Sequence, residues 1–340
     1  MRVLVTGAQG YIGVPLTWAL RDRGHEVVGL DAGFYSDGWL YGAETPPIPQ
    51  LQKDIRRITS GDLEGFDAIV HLAELSNDPL AQLDPDITYE INHRGTVSLA
   101  ELAKRAGISR FVYTSSCSVY GIGSGEYKTE ESEPAPQTPY AHCKVLVERD
   151  LSTMADDNFS PTFLRNATAY GPSPRMRFDL VLNNLAGLAW TTREIKLTSD
   201  GTPWRPLVHI GDISAAVACT LEAPRERVHR RIFNVGDTRE NYQVREIAAL
   251  VSDAFPGCRV SVGSNDGDRR SYRVSFDRIH AELPGFKAAH DAASGARELA
   301  GLFERIRLSR ETFESAPFTR VKQLQHLKRT GRLDEQLFWR

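Results

Sequence analysis

Residues 3–13 read Val-Leu-Val-Thr-Gly-Ala-Gln-Gly-Tyr-Ile-Gly, a short apolar run that breaks into three glycines spaced Gly7-x-x-Gly10-x-x-Gly13. The run from Val3 to Thr6 is too short and too β-branched for a helix. Beyond it, Ile12, Leu16 and Leu20 recur at helical spacing. The glycines therefore stand between a strand and a helix, where each has a physical task. Gly7 permits a sharp turn, Gly10 lets the backbone approach a pyrophosphate, and Gly13 lets helix and strand pack closely. The helix N-terminus then faces the phosphates. Gln9, Tyr11 and Ile12, between the glycines, are expected to line the same dinucleotide. A second strand over 26–30 ends at Asp31, an acid placed to accept from a ribose 2′-hydroxyl and to repel a 2′-phosphate. The expected cofactor is NAD, in preference to NADP.

Outward from this unit, strand and helix patterns alternate. A loop rich in Gly, Tyr and Pro precedes a third strand over 51–54, and a buried fourth strand covers 67–72. Asp84-Pro85 opens a helix that runs towards Ala106, with Asp as N-cap and Pro at the first helical position. A fifth strand (110–114), a helix (138–151) and a sixth strand (162–164) follow. This alternation predicts an α/β fold, a Rossmann-type doubly wound parallel sheet. Past Gly171 the character changes. Pro172 and Pro174 interrupt the pattern, 175–190 reads as helical, and short strands fall near 195–197, 206–210 and 232–235. We expect a smaller mixed α/β substrate lobe over 172–310. The first domain would cover 1–171 with a returning segment near 206–236, since a helix over 213–221 has the face of a packed crossover. The tail, 311–340, carries Val321, Leu324 and Leu327 at helical spacing and then Gly331 as a helix stop.

Composition narrows the function classes. Of 340 residues, 41 are Lys or Arg and 44 are Asp or Glu, a formal charge of -3. That balance argues against nucleic acid and anionic membrane surfaces as partners. No apolar run approaches the ~18 residues of a membrane span, and no charged-then-apolar leader opens the chain. A cytoplasmic protein is expected. Cys117, Cys143, Cys219 and Cys258 are scattered without a CxxC pair, so neither disulfides nor a metal site are expected.

In such sheets, ligands bind outside the carboxyl ends of the strands. The fifth strand ends in Thr114-Ser115-Ser116-Cys117-Ser118-Val119-Tyr120-Gly121, and the next helix carries Tyr140-Ala-His-Cys-Lys144. Spacing of i, i+4 puts Tyr140 and Lys144 on one helix face. The ammonium, helped by a positively charged nicotinamide ring, would lower a phenol pKa that starts near 10 and make Tyr140 a general base. Ser116 could orient the reacting oxygen. A Tyr–Lys pair alone is more often an ordinary surface pair. His71 and His209 read as packed histidines rather than metal ligands.

Together, Gly7-x-x-Gly10-x-x-Gly13, Asp31, Ser116, Tyr140-x-x-x-Lys144 and the stretch Leu164-Arg165 to Tyr170-Gly171-Pro172 resemble the extended short-chain dehydrogenase/reductase family, specifically its nucleotide-sugar epimerases and dehydratases, over about residues 1–310. The resemblance implies that Asp54 and Ile55 contact the adenine and that His71, Leu72 and Ala73 line the dinucleotide. Asn92 would brace the sheet centre beside the cofactor, and Lys144 would also hold the nicotinamide ribose. A nucleotide-diphosphate sugar would be held by Asn183, Asn184, Leu185 and Arg205, with Ser118 and Thr168 near the sugar. The segments 233–236 and 268–272, with Arg269 and Tyr272, would close over the nucleotide. A homodimer paired through the helices at 84–106 and 138–151 is also implied. Departures from the family pattern shape the reaction expected. Ser116-Cys117-Ser118 stands where 4,6-dehydratases carry Thr-Asp-Glu, and Ser118 stands where uronic acid decarboxylases keep a glutamate. Cys117 lies one position early for the cysteine of 3,5-epimerases. Thr168 replaces an asparagine near the substrate. The expected activity is an NAD-dependent epimerisation through transient oxidation to a keto sugar and hydride return, at C4. A nucleotide-keto-sugar reductase or dehydrogenase and a dehydratase or decarboxylase are the alternative enzymes. A non-catalytic dinucleotide-binding regulator would need no Ser-Tyr-Lys set.

Overall fold

The computed structural model describes residues 1–42, 47–76, 78–264 and 270–340. Val3, Leu4 and Val5 are wholly buried in β1 (Arg2–Thr6), as expected for a strand covered on both faces. β1 lies between β2 (Glu26–Asp31) and β4 (Ala68–His71), with β3 (Gln50–Gln52) beyond β2. On the other side, β5 (Arg110–Ser116) follows β4, then Ser160–Asn166, then Ile232–Val235 at the edge. All neighbours in this seven-stranded sheet run parallel. Strand order reverses between β1 and β4, and the crevice outside the carboxyl ends opens there. α1 (Gly13–Asp22) and the helix Ile210–Glu222 pack together over one face of the sheet.

Two predicted helices differ from what forms. The helix expected over 84–106 starts as read: Asp84 accepts from the Ile87 N–H at 3.1 Å and Pro85 takes the first position. It is then interrupted, with α-helical turns at Pro85–Thr88 and Thr96–Arg105 separated by a wide π turn over Tyr89–Gly95. Such turns recur at functional sites. In this one Asn92 is wholly buried, accepting from the Leu75 N–H (2.8 Å) and donating to the Leu75 carbonyl (3.0 Å). It braces the loop after β4. The helix expected over 175–190 instead occupies Val181–Thr192. Arg175 donates to the Tyr35 and Ser36 carbonyls, and Arg177 donates to the Ser76 carbonyl and hydroxyl, so long-range partners hold 175–180 open. The helix Asp78–Leu83 and the strand Ile122–Lys128 have no counterpart in the sequence reading.

Beyond Asn166 the chain builds small sheets. Thr168–Tyr170, Trp204–His209 and Asn241–Gln243 form one, while Ser271–Val274 pairs with Ile122–Lys128. Helices Val181–Thr192, Val244–Ala254 and Ala292–Ile306 share a core with Leu182, Ile247 and Leu299. The tail folds back on the main sheet. Its helix, Arg320–Arg329, buries Leu324 and Leu327 in the core that also holds Leu4 and Ile69 of the sheet, and Gly331 follows with φ +70°. Among the described residues, no helix is long and apolar enough to cross a membrane.

Candidate active site

A cavity of about 880 Å³ lies at the carboxyl ends of the strands, within the range of ligand sites. The glycine loop forms one wall. Gly7 has φ +72°, and its N–H donates to the Leu30 carbonyl at 2.7 Å, tying the turn to β2. A Cβ on Gly13 would stand 2.1 Å from the Gly7 carbonyl oxygen, so only glycine lets α1 start this close to β1. Gly10, Tyr11 and Ile12 line the same wall. Gln9 does not, although its N–H donates to Asp31 at 3.0 Å. Asp31 also accepts from the Gly33 N–H at 2.8 Å. Burial pushes its carboxyl above the usual range, and the two amides oppose that shift. Asp54, Ile55, Leu72 and Ala73 complete this end of the cavity.

The other end assembles the reactive groups. Ser116, Tyr140, Lys144, Ser118 and Thr168 all face the cavity. Thr138 caps the helix Pro139–Met154, so Tyr140 falls in its first turn and Lys144 one turn later on the same side. Ser116 accepts from the Ser118 N–H at 3.1 Å and hydrogen-bonds the Tyr140 hydroxyl. Lys144 lies 5.3 Å from the Tyr140 ring centroid and donates to the Thr114 carbonyl at 2.6 Å. Arg205 and Tyr272 also line the cavity, with Asn184 from the helix Val181–Thr192.

Besides Gln9, three expected contacts are corrected. Asn92 serves Leu75 and does not reach the cavity. Asn183 is wholly buried behind the wall, donating to the Tyr11 hydroxyl oxygen (3.0 Å) and accepting from the Gly171 N–H (3.2 Å). Leu185 is packed in the core of the lobe. Helix phase explains both: Asn184 points to the cavity, so its neighbours turn away. Lys144 pulls on the Tyr140 phenol in the expected direction, yet the net shift is upward. Burial raises it and Glu74 adds to the rise, while Lys144 and Ser116 pull down. Arg269 lies outside the described residues. Cys117 is buried, donates to the Arg165 carbonyl, has its thiol pushed well above the ordinary range by burial, and does not line the cavity.

A model of the NAD dependent epimerase/dehydratase family matches residues 3–236. The chain belongs to this family. A UDP-glucose 4-epimerase of Mycolicibacterium smegmatis is 33% identical over 89% of this chain and 98% of its own length. A dTDP-glucose 4,6-dehydratase of Streptomyces griseus is 28% identical over 86% of this chain and 91% of its own. Among solved structures, MoeE5 in complex with UDP-glucuronic acid and NAD has a TM-score of 0.77 at 28% identity, covering 90% of this chain and 99% of that one. The UDP-glucose 4-epimerase of Thermus thermophilus in complex with NAD has a TM-score of 0.74 at 26% identity, covering 89% and 99%. The cofactor of this epimerase/dehydratase is NAD, and the glycine cradle and Asp31 fit it.

Sequence reasoning missed several charged residues in the wall of this family member. Glu74 follows β4 by three residues, pairs with Lys144, and accepts from the Tyr113 hydroxyl at 2.6 Å. Its side chain is 2% exposed, and burial pushes its carboxyl up while Lys144 and Tyr113 oppose that. The one available signal was a charge placed directly after a buried strand. Asp78 accepts from Thr138 and pairs with Arg270, joining the cap of the Tyr140 helix to the strand of Tyr272. Arg177 and Arg320 also face the cavity. Arg320 lies beyond both the family match and the resemblance, so no motif pointed to it.

Proposed function

We propose that the protein epimerises a nucleoside-diphosphate sugar, at C4, with NAD as resident cofactor. One observation carries this reading: Ser116, Tyr140 and Lys144 converge on a cavity that the glycine loop and Asp31 also line. Bound NAD supplies the hydride acceptor and donor. Tyr140 takes the proton of the sugar hydroxyl and later returns it to the oxygen. Ser116 hydrogen-bonds that oxygen and fixes its direction. Lys144, one turn from Tyr140, offsets part of the penalty for a buried phenolate and reaches the nicotinamide ribose. Arg205 holds the diphosphate with its planar fork, beside Asn184 and Tyr272. Ser118 and Thr168 present hydroxyls to the sugar. In this division of labour, 1–171 with the return at 206–236 is the cofactor half and 172–310 the substrate lobe.

Dehydration needs a further acid and base near the sugar. Ser118 offers neither, and both oxygens of Glu74 are engaged, one by Tyr113 and one by Lys144. The test is incubation with UDP- and dTDP-hexoses in deuterated water without added cofactor. The expected product has the same mass, carries no deuterium on carbon, and leaves nicotinamide absorbance unchanged. Deuterium beside the carbonyl position would mark 3- or 5-epimerisation, lost mass would mark dehydration or decarboxylation, and stoichiometric consumption of cofactor would mark a reductase.

A further inference from the structure

The tail helix Arg320–Arg329 is fixed against the loop that follows Asp31. Gln323 donates to the Phe34 carbonyl at 3.1 Å, the Trp339 indole donates to the Ala32 carbonyl at 2.6 Å, and Arg332 pairs with Asp37 at 2.8 Å. Leu324 and Leu327 anchor the helix in the core below. Its first turn, with Thr319, Arg320 and Lys322, forms part of the cavity wall. The helix thus points its N-terminal N–H groups at the cavity, an arrangement that favours anions.

Arg320 adds a second and independent observation. It is only 3% exposed, and its guanidinium stacks on the Tyr35 ring, 4.0 Å from the centroid. Its backbone N–H donates to Asp179 at 3.4 Å, but its guanidinium donates to no acceptor among the described residues. A buried cation without an acceptor is costly unless a ligand supplies one. The groups around it do not neutralise it. Arg175, Arg177 and Arg320 face Asp31 and Asp179, and Arg175 also faces Asp37, which pairs with Arg332, making four cations against three carboxylates. The fork of Arg177 is already engaged by Asp179, and Arg175 by two loop carbonyls.

We propose that the tail helix completes the cofactor site and that Arg320 binds a phosphate oxygen of the adenosine half of NAD. Asp31 locates that half, because it takes the ribose next to the phosphates. The inference rests on NAD occupying the glycine cradle and extends the site to a segment outside the family match.

The test uses the full chain stripped of nucleotide, with Arg320→Met and Arg320→Lys. Calorimetry gives the Kd of NAD, ADP and nicotinamide mononucleotide, and a thermal melt gives the stability of the free protein. Arg320→Met should raise the Kd of NAD and ADP about tenfold or more, the size of a charge-assisted hydrogen bond. Nicotinamide mononucleotide should bind as before, and the free variant should melt no lower than the parent, since an unpartnered buried charge has been removed. Arg320→Lys should fall between. Unchanged ADP affinity overturns the proposal. So does an Arg320→Met chain that melts far lower or does not fold, because the cation would then be a structural anchor.

Discussion

Tyr140 and Glu74 oppose each other across Lys144. Burial is the largest cause of the raised Tyr140 phenol, Lys144 pulls it down, and the Glu74 carboxylate paired with that ammonium repels the phenolate and adds to the rise. Activity that needs the phenolate should therefore rise with pH. Glu74→Gln keeps a partner for the Tyr113 hydroxyl but removes the charge. The rising limb of the kcat profile should move to lower pH, by about one unit for a close charge. A shift to higher pH, or none, would show that Glu74 does not bear on the base. Tyr140→Phe removes only the titratable oxygen. It should lower kcat by well over tenfold, more than about 1.4 kcal/mol of barrier, while NAD binding by calorimetry stays unchanged.

Among elements, the interrupted helix after Asp84 matters most to the site. Its π turn places Asn92 under the loop that carries Leu72, Ala73 and Glu74 into the cavity. Asn92→Leu fills similar space but strands the N–H and carbonyl of Leu75 without partners. A buried group left unsatisfied costs about 1–3 kcal/mol, so a stability loss of about 2 kcal/mol or more is expected in urea unfolding, together with weaker NAD binding as the wall loosens. Wild-type values for both would remove Asn92 from the support of the site.

For the whole molecule, the helical stretch of Asn92 packs against the helix of Tyr140, and His93 pairs with Asp150 at 2.7 Å between them. If a second copy pairs with the same two helices, as the family resemblance implies, a two-fold four-helix bundle forms. Light scattering at micromolar concentration should give twice the chain mass. A chain mass equal to one copy would leave the two helices as an intramolecular pair only.

What the sequence decided by itself is local. The period of apolar residues around Gly7, Gly10 and Gly13 gives strand, turn and helix, and the steric demand at Gly13 arises within that loop. Asp84 and Thr138 cap helices because the side chain and the amide it accepts from are three residues apart. Tyr140 and Lys144 share a face by helical pitch alone. Tertiary structure decided the rest, because those outcomes depend on partners distant in sequence. Whether Asn183 or Asn184 meets the cavity follows from how the helix Val181–Thr192 lies against Tyr11 and Gly171. The upward shift of the Tyr140 phenol needed its burial and then Glu74, and the segment 175–180 stayed out of helix because Arg175 found partners at Tyr35 and Ser36 and Arg177 at Ser76. Arg320 reaches the cofactor end only because the tail folds back onto the loop after Asp31. Burial and charge are set by the whole packed molecule, whereas caps, turns and helix faces are set by a few neighbouring residues.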